Sequence, residues 1–377
     1  MKILMNESIR QSLINAASEL GFSLHGICPA VESTGFSRMA EWIDKGYAAN
    51  MDYFANRLDA YRHPDGVLQG TRSIVVLTFP YATAESPALQ PGHGRVARYA
   101  WTGKDYHDVI HPKLKKLRSV ITEHAPSATT RGIVDTAPLM EREFARLAGL
   151  GWRGKNTLLL NKTHGSYFFL ACLLTDIELP YDPAHETGHC GTCTACLDAC
   201  PTDAFPSAGV MDASKCISYL TIEHREQIEL ALRPGIGDWL FGCDICQQVC
   251  PWNTRPTRRS SDTETYPLSE VDLAELFAIT DEEFRAKFRK TPFWRTRRRG
   301  ILRNAAIVLG NQRNPQSVSC LKQGLCDAES IVRGASAWAL GQIGGTAATQ
   351  ALESRLPIED DPEVTQEIQQ ALQQAIA

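Results

Sequence analysis

The sequence predicts a multidomain α+β protein, and three observations predict it. Strand-like and helix-like segments alternate over residues 1–178, which indicates an α/β or α+β domain. Eight of the twelve cysteines fall between Cys190 and Cys250, marking a small domain over 179–256. From Ile301 onward a helical segment rich in small residues recurs, within a C-terminal region of 257–377. At 377 residues the chain is too long for one compact core.

The first element is an amphipathic helix, with Ile9, Leu13, Ala16, Ala17 and Leu20 at helical spacing. Glu7 and Glu19 interrupt it, so it does not read as an export signal. There is no run of about 18 apolar residues for a membrane span, and the chain is expected to be cytoplasmic, where thiols stay reduced. Residues Thr71–Pro80 read as a buried strand. Tyr106–His124 reads as a helix with Val109, Leu114, Leu117 and Ile121 on its apolar face. Arg131–Thr136 is a short strand containing Asp135, Pro138 opens a helix over Leu139–Leu150, and Ser166–Thr175 is a further strand. No GxGxxG precedes a helix and no P-loop occurs, so a dinucleotide or ATP is not expected.

The cysteines carry the sharpest signal. Cys190-x2-Cys193-x2-Cys196-x3-Cys200-Pro201 has the spacing of bacterial ferredoxins, in which three thiolates hold one cluster and the fourth reaches the other. Cys243-x2-Cys246-x3-Cys250-Pro251 repeats most of it, and Cys216 supplies the missing member. Sequence logic assigns Cys190, Cys193, Cys196 and Cys250 to one [4Fe–4S] cluster, and Cys200, Cys216, Cys243 and Cys246 to a second. Each proline lacks an N–H and turns the chain away from the cluster. Small intervening residues leave amides free to donate to sulfur. The alternative is a pair of zinc sites, which CxxC pairs also suit but which do not need the interleaved order. Cys28, Cys172, Cys320 and Cys326 lie outside the pattern and read as small buried hydrophobes.

Beyond a polar stretch at Asn253–Tyr266, read as a linker, Arg285 to Arg303 holds nine basic residues and no acidic one. Phe293 and Trp294 are interleaved, and the chain as a whole carries a net charge of −4. A local basic concentration with aromatics suits nucleic acid, although such a run can also be a solvated face. RNAAIVLG at Arg303–Gly310 resembles RGASAWALG at Arg333–Gly341, and Ala305, Ala306, Ala335 and Ala337 permit close helix packing. This is the pattern of HEAT-like repeats.

Asp135 sits at the end of a strand and ahead of a helix. It either presents a partly buried carboxyl that holds a proton near neutrality or caps the helix, and spacing alone favours the cap. The loops RYAWTGKDYH and GLGWRGKN, rich in Gly, aromatic and basic residues, suit a large flat cofactor or are ordinary loops around a buried Trp.

The strings RYAWTGKDYH, VDTAPLMEREFARLAGLGWRGKNTLLLN, KCISYLTIEHR, GCDICQQVCPWN and RRRGILRNAAIVLGN, together with the cysteine run, resemble the epoxyqueuosine reductase family in order and across nearly the whole chain. The resemblance implies a cobalamin-binding α/β domain, a ferredoxin-like domain with two [4Fe–4S] clusters and HEAT-like repeats. It implies reduction of the epoxide of epoxyqueuosine at the wobble position of tRNAs with GUN anticodons, giving queuosine. It further implies an external one-electron donor, such as flavodoxin or ferredoxin, that feeds the clusters, and a monomeric enzyme. Asp135 matches the family's proton donor, which reverses the preference for the cap. Cobalamin contacts are implied at Trp101, Asp135, Met140, Asn161, Ser218 and Asp244. Contacts to tRNA are implied at Arg225, Arg295, Arg297, Arg298 and Arg299. The chain departs from the family's RYA-x-G-x-DYH by one extra residue between Trp101 and Asp105.

Overall fold

The computed structural model of the protein describes residues 2–81, 88–254 and 266–376. Positions 255–265, most of the stretch read as a linker, lie outside the described residues. Among the described residues the strands are β1 (Leu24–Pro29), β2 (Ser73–Pro80), β3 (His93–Val96), β4 (Thr130–Ile133), β5 (Trp152–Arg153), β6 (Leu159–Leu160), β7 (Phe168–Thr175), β8 (Trp239–Phe241) and β9 (Glu270–Asp272).

The apolar run of β2 predicts burial on both faces, and it sits inside a four-stranded sheet of order β1-β2-β7-β4. Its neighbours all pair antiparallel, with Ile74 opposite Leu174 and Ile133 opposite Cys172. Side chains alternate across such a sheet. Val75, Leu77, Ala171 and Leu173 therefore face one way, against helices Lys2–Glu19 and Tyr106–His124. Ile74, Val76, Cys172 and Leu174 face the other way, against helix Glu141–Leu147. Fully burying each such aliphatic side chain contributes about 1.5–3 kcal/mol. Of the alternatives the alternation left open, the antiparallel register is the α+β one.

Helix Tyr106–His124 has the expected bounds, and Asp105 caps it by accepting the His107 N–H at 3.0 Å. Its buried face is Ile110, Leu114, Leu117 and Ile121. Ile110 takes the place expected of Val109, which is only half-buried. The helix after Asp135 is shorter than expected, at Glu141–Leu147, and Met140 occupies its N-cap position.

A second sheet of order β8-β3-β9 ties distant parts of the chain together. β3 runs parallel to β8 and antiparallel to β9. Val96, Ala100 and Trp101 consequently share one core with Leu240, Phe241 and the C-terminal helices. In that region Arg297–Gln312, Ser330–Ile343 and Pro362–Ile376 stack, and Ala305, Ala306, Ala335 and Ala337 are fully buried. A Cβ on Gly310 would stand 2.6 Å from the Trp338 ring and 2.9 Å from Ala339 Cα, so only glycine permits that approach. The two arginines of the repeat, Arg303 and Arg333, are both buried. Arg303 donates to the carbonyls of Leu220, His224 and Glu226 and so clamps the repeats to the cysteine-rich domain. Cys28, Cys172 and Cys320 are buried as expected, whereas Cys326 is exposed.

Candidate active site and iron–sulfur ligands

Asp135 lies two residues beyond β4 with φ +46°, a left-handed conformation that Asp tolerates better than most side chains. It does not cap the following helix. Its own N–H donates to Glu141 Oε1 at 2.9 Å, and its carboxylate points away from the helix. Oδ2 accepts from the Tyr106 hydroxyl, and Oδ1 stands 2.9 Å from His107 Nε2. His107 Nδ1 in turn stands 2.7 Å from Asp105 Oδ1. An imidazole held between two carboxylates favours its charged form. Asp105 first and Asp135 second push His107 up to about 9. Burial, reinforced by the charge of Asp135, pushes Glu141 up to about 8. The Asp135 side chain is 51% exposed, so its chemistry rests on these partners and not on the burial expected from sequence.

Tyr106 is stacked between His107 and Phe169, with centroids 4.2 and 4.3 Å away. Behind it Tyr99 packs edge-on at 6.1 Å and lies in the fields of Asp244, Glu223 and Asp135. Asp135 also acts on Arg295 and Tyr53. Arg295 makes a two-pronged pair with Glu223, both contacts at 2.9 Å. Glu223 and the positive charges of Arg295, Arg299 and Arg297 all act on Arg225. Arg225 Nη1 is buried and has no acceptor among the described residues. The Arg297 guanidinium lies 3.8 Å from the Trp294 ring centroid.

The eight cysteines form two adjoining groups. Burial and then the thiols of Cys250, Cys190 and Cys193 push Cys196 up. Burial and then Cys216, Asp244, Cys196 and Cys200 push Cys246 up. Burial first, and Cys216 and Cys246 among its neighbours, do the same to Cys243. Amides are aimed at the sulfurs. Ala204 N–H donates to Cys200 Sγ at 3.4 Å, and Ser218 and Tyr219 N–H donate to Cys216. The N–H of Ile245 serves Cys243, and those of Trp252 and Asn253 serve Cys250. Clustered thiols with amide donors fit a cationic iron–sulfur core, which removes their protons on coordination. Lys155 Nζ fixes the exposed cysteine loop by donating to Gly191 O at 2.8 Å and Cys193 O at 2.9 Å.

The expected cofactor contacts separate into two sets. Asp135, Met140 and Ser218 keep accessible surface, the last two half-buried. Ser218 follows Cys216 by two residues, and Met140 stands at the foot of the Asp135 loop. The other three have side chains engaged within the protein. Trp101 is 2% exposed, and its indole N–H donates to Val96 O at 2.7 Å, so it is core. Asp244 is 3% exposed and accepts the Arg98 N–H at 2.7 Å, holding the turn from behind. Asn161 bonds Leu150 O, Thr163 and His164 and closes a turn that packs on Asn253. Arg298, among the arginines expected at tRNA, is engaged in the same way. It pairs with buried Asp327 at 2.7 Å and donates to Ile279 O, so it belongs to the helical repeats and not to an open surface. Phe293, one of the interleaved aromatics, is also core.

Sequence reasoning missed Tyr106, His107, Asp105, Glu141 and Glu223. The signal was present as Asp-Tyr-His opening a helix. There the helix cap and the imidazole fall within three residues.

Together these features define a two-cluster iron–sulfur oxidoreductase with an acid–base relay beside a basic surface. Residues 189–253 match the 4Fe-4S double cluster binding domain, 62–136 match epoxyqueuosine reductase QueG, DUF1730, and 291–373 match HEAT repeats. The chain belongs to the epoxyqueuosine reductase family. It is 40% identical over 345 residues to the epoxyqueuosine reductase of Pseudomonas aeruginosa, covering 90% of this chain and 95% of that one. The structure superposes on epoxyqueuosine reductase bound to a tRNA-Tyr epoxyqueuosine-modified stem loop with TM-score 0.90 and 31% identity, over 99% and 100% of the two chains. A Bacillus subtilis epoxyqueuosine reductase with its catalytic aspartate loop swung out of the active site gives TM-score 0.88 and 30% identity, over 98% and 99%.

Proposed function

We propose that this protein reduces the epoxide of epoxyqueuosine in tRNA to queuosine. The observation that carries the reading is convergence: the helix that begins after Cys216 ends at Glu223, Glu223 pairs with Arg295 at 2.9 Å and with Arg225 at 3.9 Å, and the charge of Asp135 acts on the same Arg295. Both carbon–oxygen bonds of the epoxide break and a C=C bond forms. Two electrons and two protons enter, and the oxygen leaves as water. Met140 and Ser218 would hold cobalamin, which would supply a cobalt centre for one-electron chemistry next to the two [4Fe–4S] clusters.

The chain's own residues handle the protons. Asp135 protonates the departing oxygen, and His107 restores the proton across its 2.9 Å contact. Asp105 keeps the imidazole oriented and charged. Glu141 holds the strained Asp135 backbone in place through the amide bond. The ligand sets are Cys190, Cys193, Cys196 and Cys250 for one cluster and Cys200, Cys216, Cys243 and Cys246 for the other. Arg225, Arg295, Arg297 and Arg299 hold the tRNA phosphates. An external one-electron donor charges the clusters, and the enzyme works in the cytoplasm, where tRNA is modified. Among the described residues no helix is long and apolar enough to cross a membrane.

Anaerobic reconstitution with cobalamin and reductant, followed by mass analysis of nucleosides from epoxyqueuosine-containing tRNA, tests this. Conversion of epoxyqueuosine to queuosine is expected, and its absence from fully reconstituted enzyme overturns the reading.

A further inference from the structure

We infer that Tyr53 is a stacking platform for a base of the single-stranded anticodon loop next to the modified nucleotide. The inference rests on the proposed function and assigns one side chain a place in substrate positioning.

Tyr53 is one of the few large apolar side chains left exposed, at 43%. Its surroundings make it a rigid exposed ring and not a loose one. Phe54 lies against it at 4.6 Å, and Phe54 is itself held by Trp42 at 5.5 Å and Tyr61 at 5.9 Å. The segment carrying this ladder is pinned to the cluster domain at three points. The Trp42 indole donates to Met211 O at 2.5 Å, Ala213 N–H to Tyr47 O at 2.9 Å, and Asn50 N–H to the Tyr219 hydroxyl at 3.0 Å. Tyr219 belongs to the helix that begins immediately after Cys216. Movement of the ring relative to the clusters is therefore restrained.

Its position is equally specific. The Tyr53 segment bonds Tyr219 on the helix that ends at Glu223, Glu223 pairs with Arg295 at 2.9 Å, and the charges of Glu223, Arg295 and Asp135 all act on the Tyr53 hydroxyl. Burial, then Glu223, pushes that hydroxyl up to about 12, so it stays neutral beside a polyanion. Arg57 adds exposed positive charge on the same segment. A wobble base can reach Asp135 only if its neighbours unstack from it, and an unstacked base needs a new flat surface. Single-stranded RNA is held in this way, with phosphates on arginines and bases on aromatic faces.

The test uses reconstituted full-length enzyme and an epoxyqueuosine stem-loop with 2-aminopurine replacing the base adjacent to the modified one. Wild type should quench the fluorophore on binding. Tyr53→Ala should lose the quench and raise KM about tenfold, the size of one base–aromatic stack, with a smaller effect on kcat. Tyr53→Phe should restore both, since the ring and not the hydroxyl acts. Iron content and corrin absorbance identify any variant that has lost its fold. Active wild type together with unchanged KM and quench in Tyr53→Ala overturns this inference alone. Inactive wild type overturns the functional reading and this inference with it.

Discussion

The Nε2 atom of His107 stands 2.9 Å from Oδ1 of Asp135, on the side of the imidazole opposite its 2.7 Å contact with Asp105. With acceptors on both nitrogens the ring binds a proton more tightly than it does in water. The half-exposed carboxylate of Asp135 is thereby joined to an imidazole that favours its protonated form.

That arrangement fixes the sign of a pH dependence. His107 is raised to about 9 from an ordinary 6.5, Asp105 contributing most. The stability it supplies is fully present below pH 6.5 and is lost as pH rises through about 9. Turnover should fall over the same upper range as the imidazole loses its proton. His107→Gln should lower the single-turnover rate and abolish the alkaline limb near pH 9. An unchanged limb in that variant would remove His107 from the relay.

Asp135→Asn keeps the side-chain shape but cannot deliver the proton. The rate should drop by about 10²- to 10⁴-fold, the usual contribution of a general acid, while tRNA and cobalamin still bind. Rapid-quench analysis of nucleosides measures the rate, and filter binding measures the affinity. Wild-type rates in the variant would sink the assignment.

Arg303 is buried with bonds to Leu220, His224 and Glu226 carbonyls and to Asn304. Arg303→Met leaves three carbonyls without their donor and should cost about 3 kcal/mol or more in denaturant unfolding. Cys326→Ser, on the exposed surface, should stay within about 0.5 kcal/mol of wild type. Equal stabilities for the two variants would show that the clamp contributes nothing.

How much of this was legible in the sequence depended on range. Continuous apolar runs placed β2 and β7, helical periodicity placed Tyr106–His124, and cysteine spacing revealed the cluster domain because its chemistry is written in short intervals. Asp135 could not be decided by spacing, since a cap and a proton donor occupy the same position. Only the direction of its carboxylate, toward Tyr106 and His107, separates them. Trp101 and Asn161 are expected at cobalamin because the family resemblance implies it, and resemblance carries no information on where a side chain is engaged. The structure commits them to Val96 O and to a tight turn. Pairing between sequence-distant strands, as between β3 and β8, has no local signature, so the mixing of distant segments into one core was invisible.

The arginine run makes the last case, because its members look alike in sequence and differ in the fold. Arg297 and Arg299 are exposed, and Arg299 has only a loose 3.6 Å partner in Glu329. Arg298 is turned inward onto Asp327, itself 7% exposed, and onto Ile279 O. Removing one phosphate-binding charge should lower the slope of log affinity against log salt by about one. Arg297→Ala and Arg299→Ala should therefore weaken tRNA binding and flatten its salt dependence, with little change in unfolding. Arg298→Ala should do the reverse. It leaves a buried Asp327 carboxylate unpaired, so it lowers stability while the salt slope stays at the wild-type value. Binding titrations across a salt series, with denaturant curves for the same proteins, separate the two outcomes. A flattened slope for Arg298→Ala with unaltered stability would place Arg298 on the tRNA surface after all.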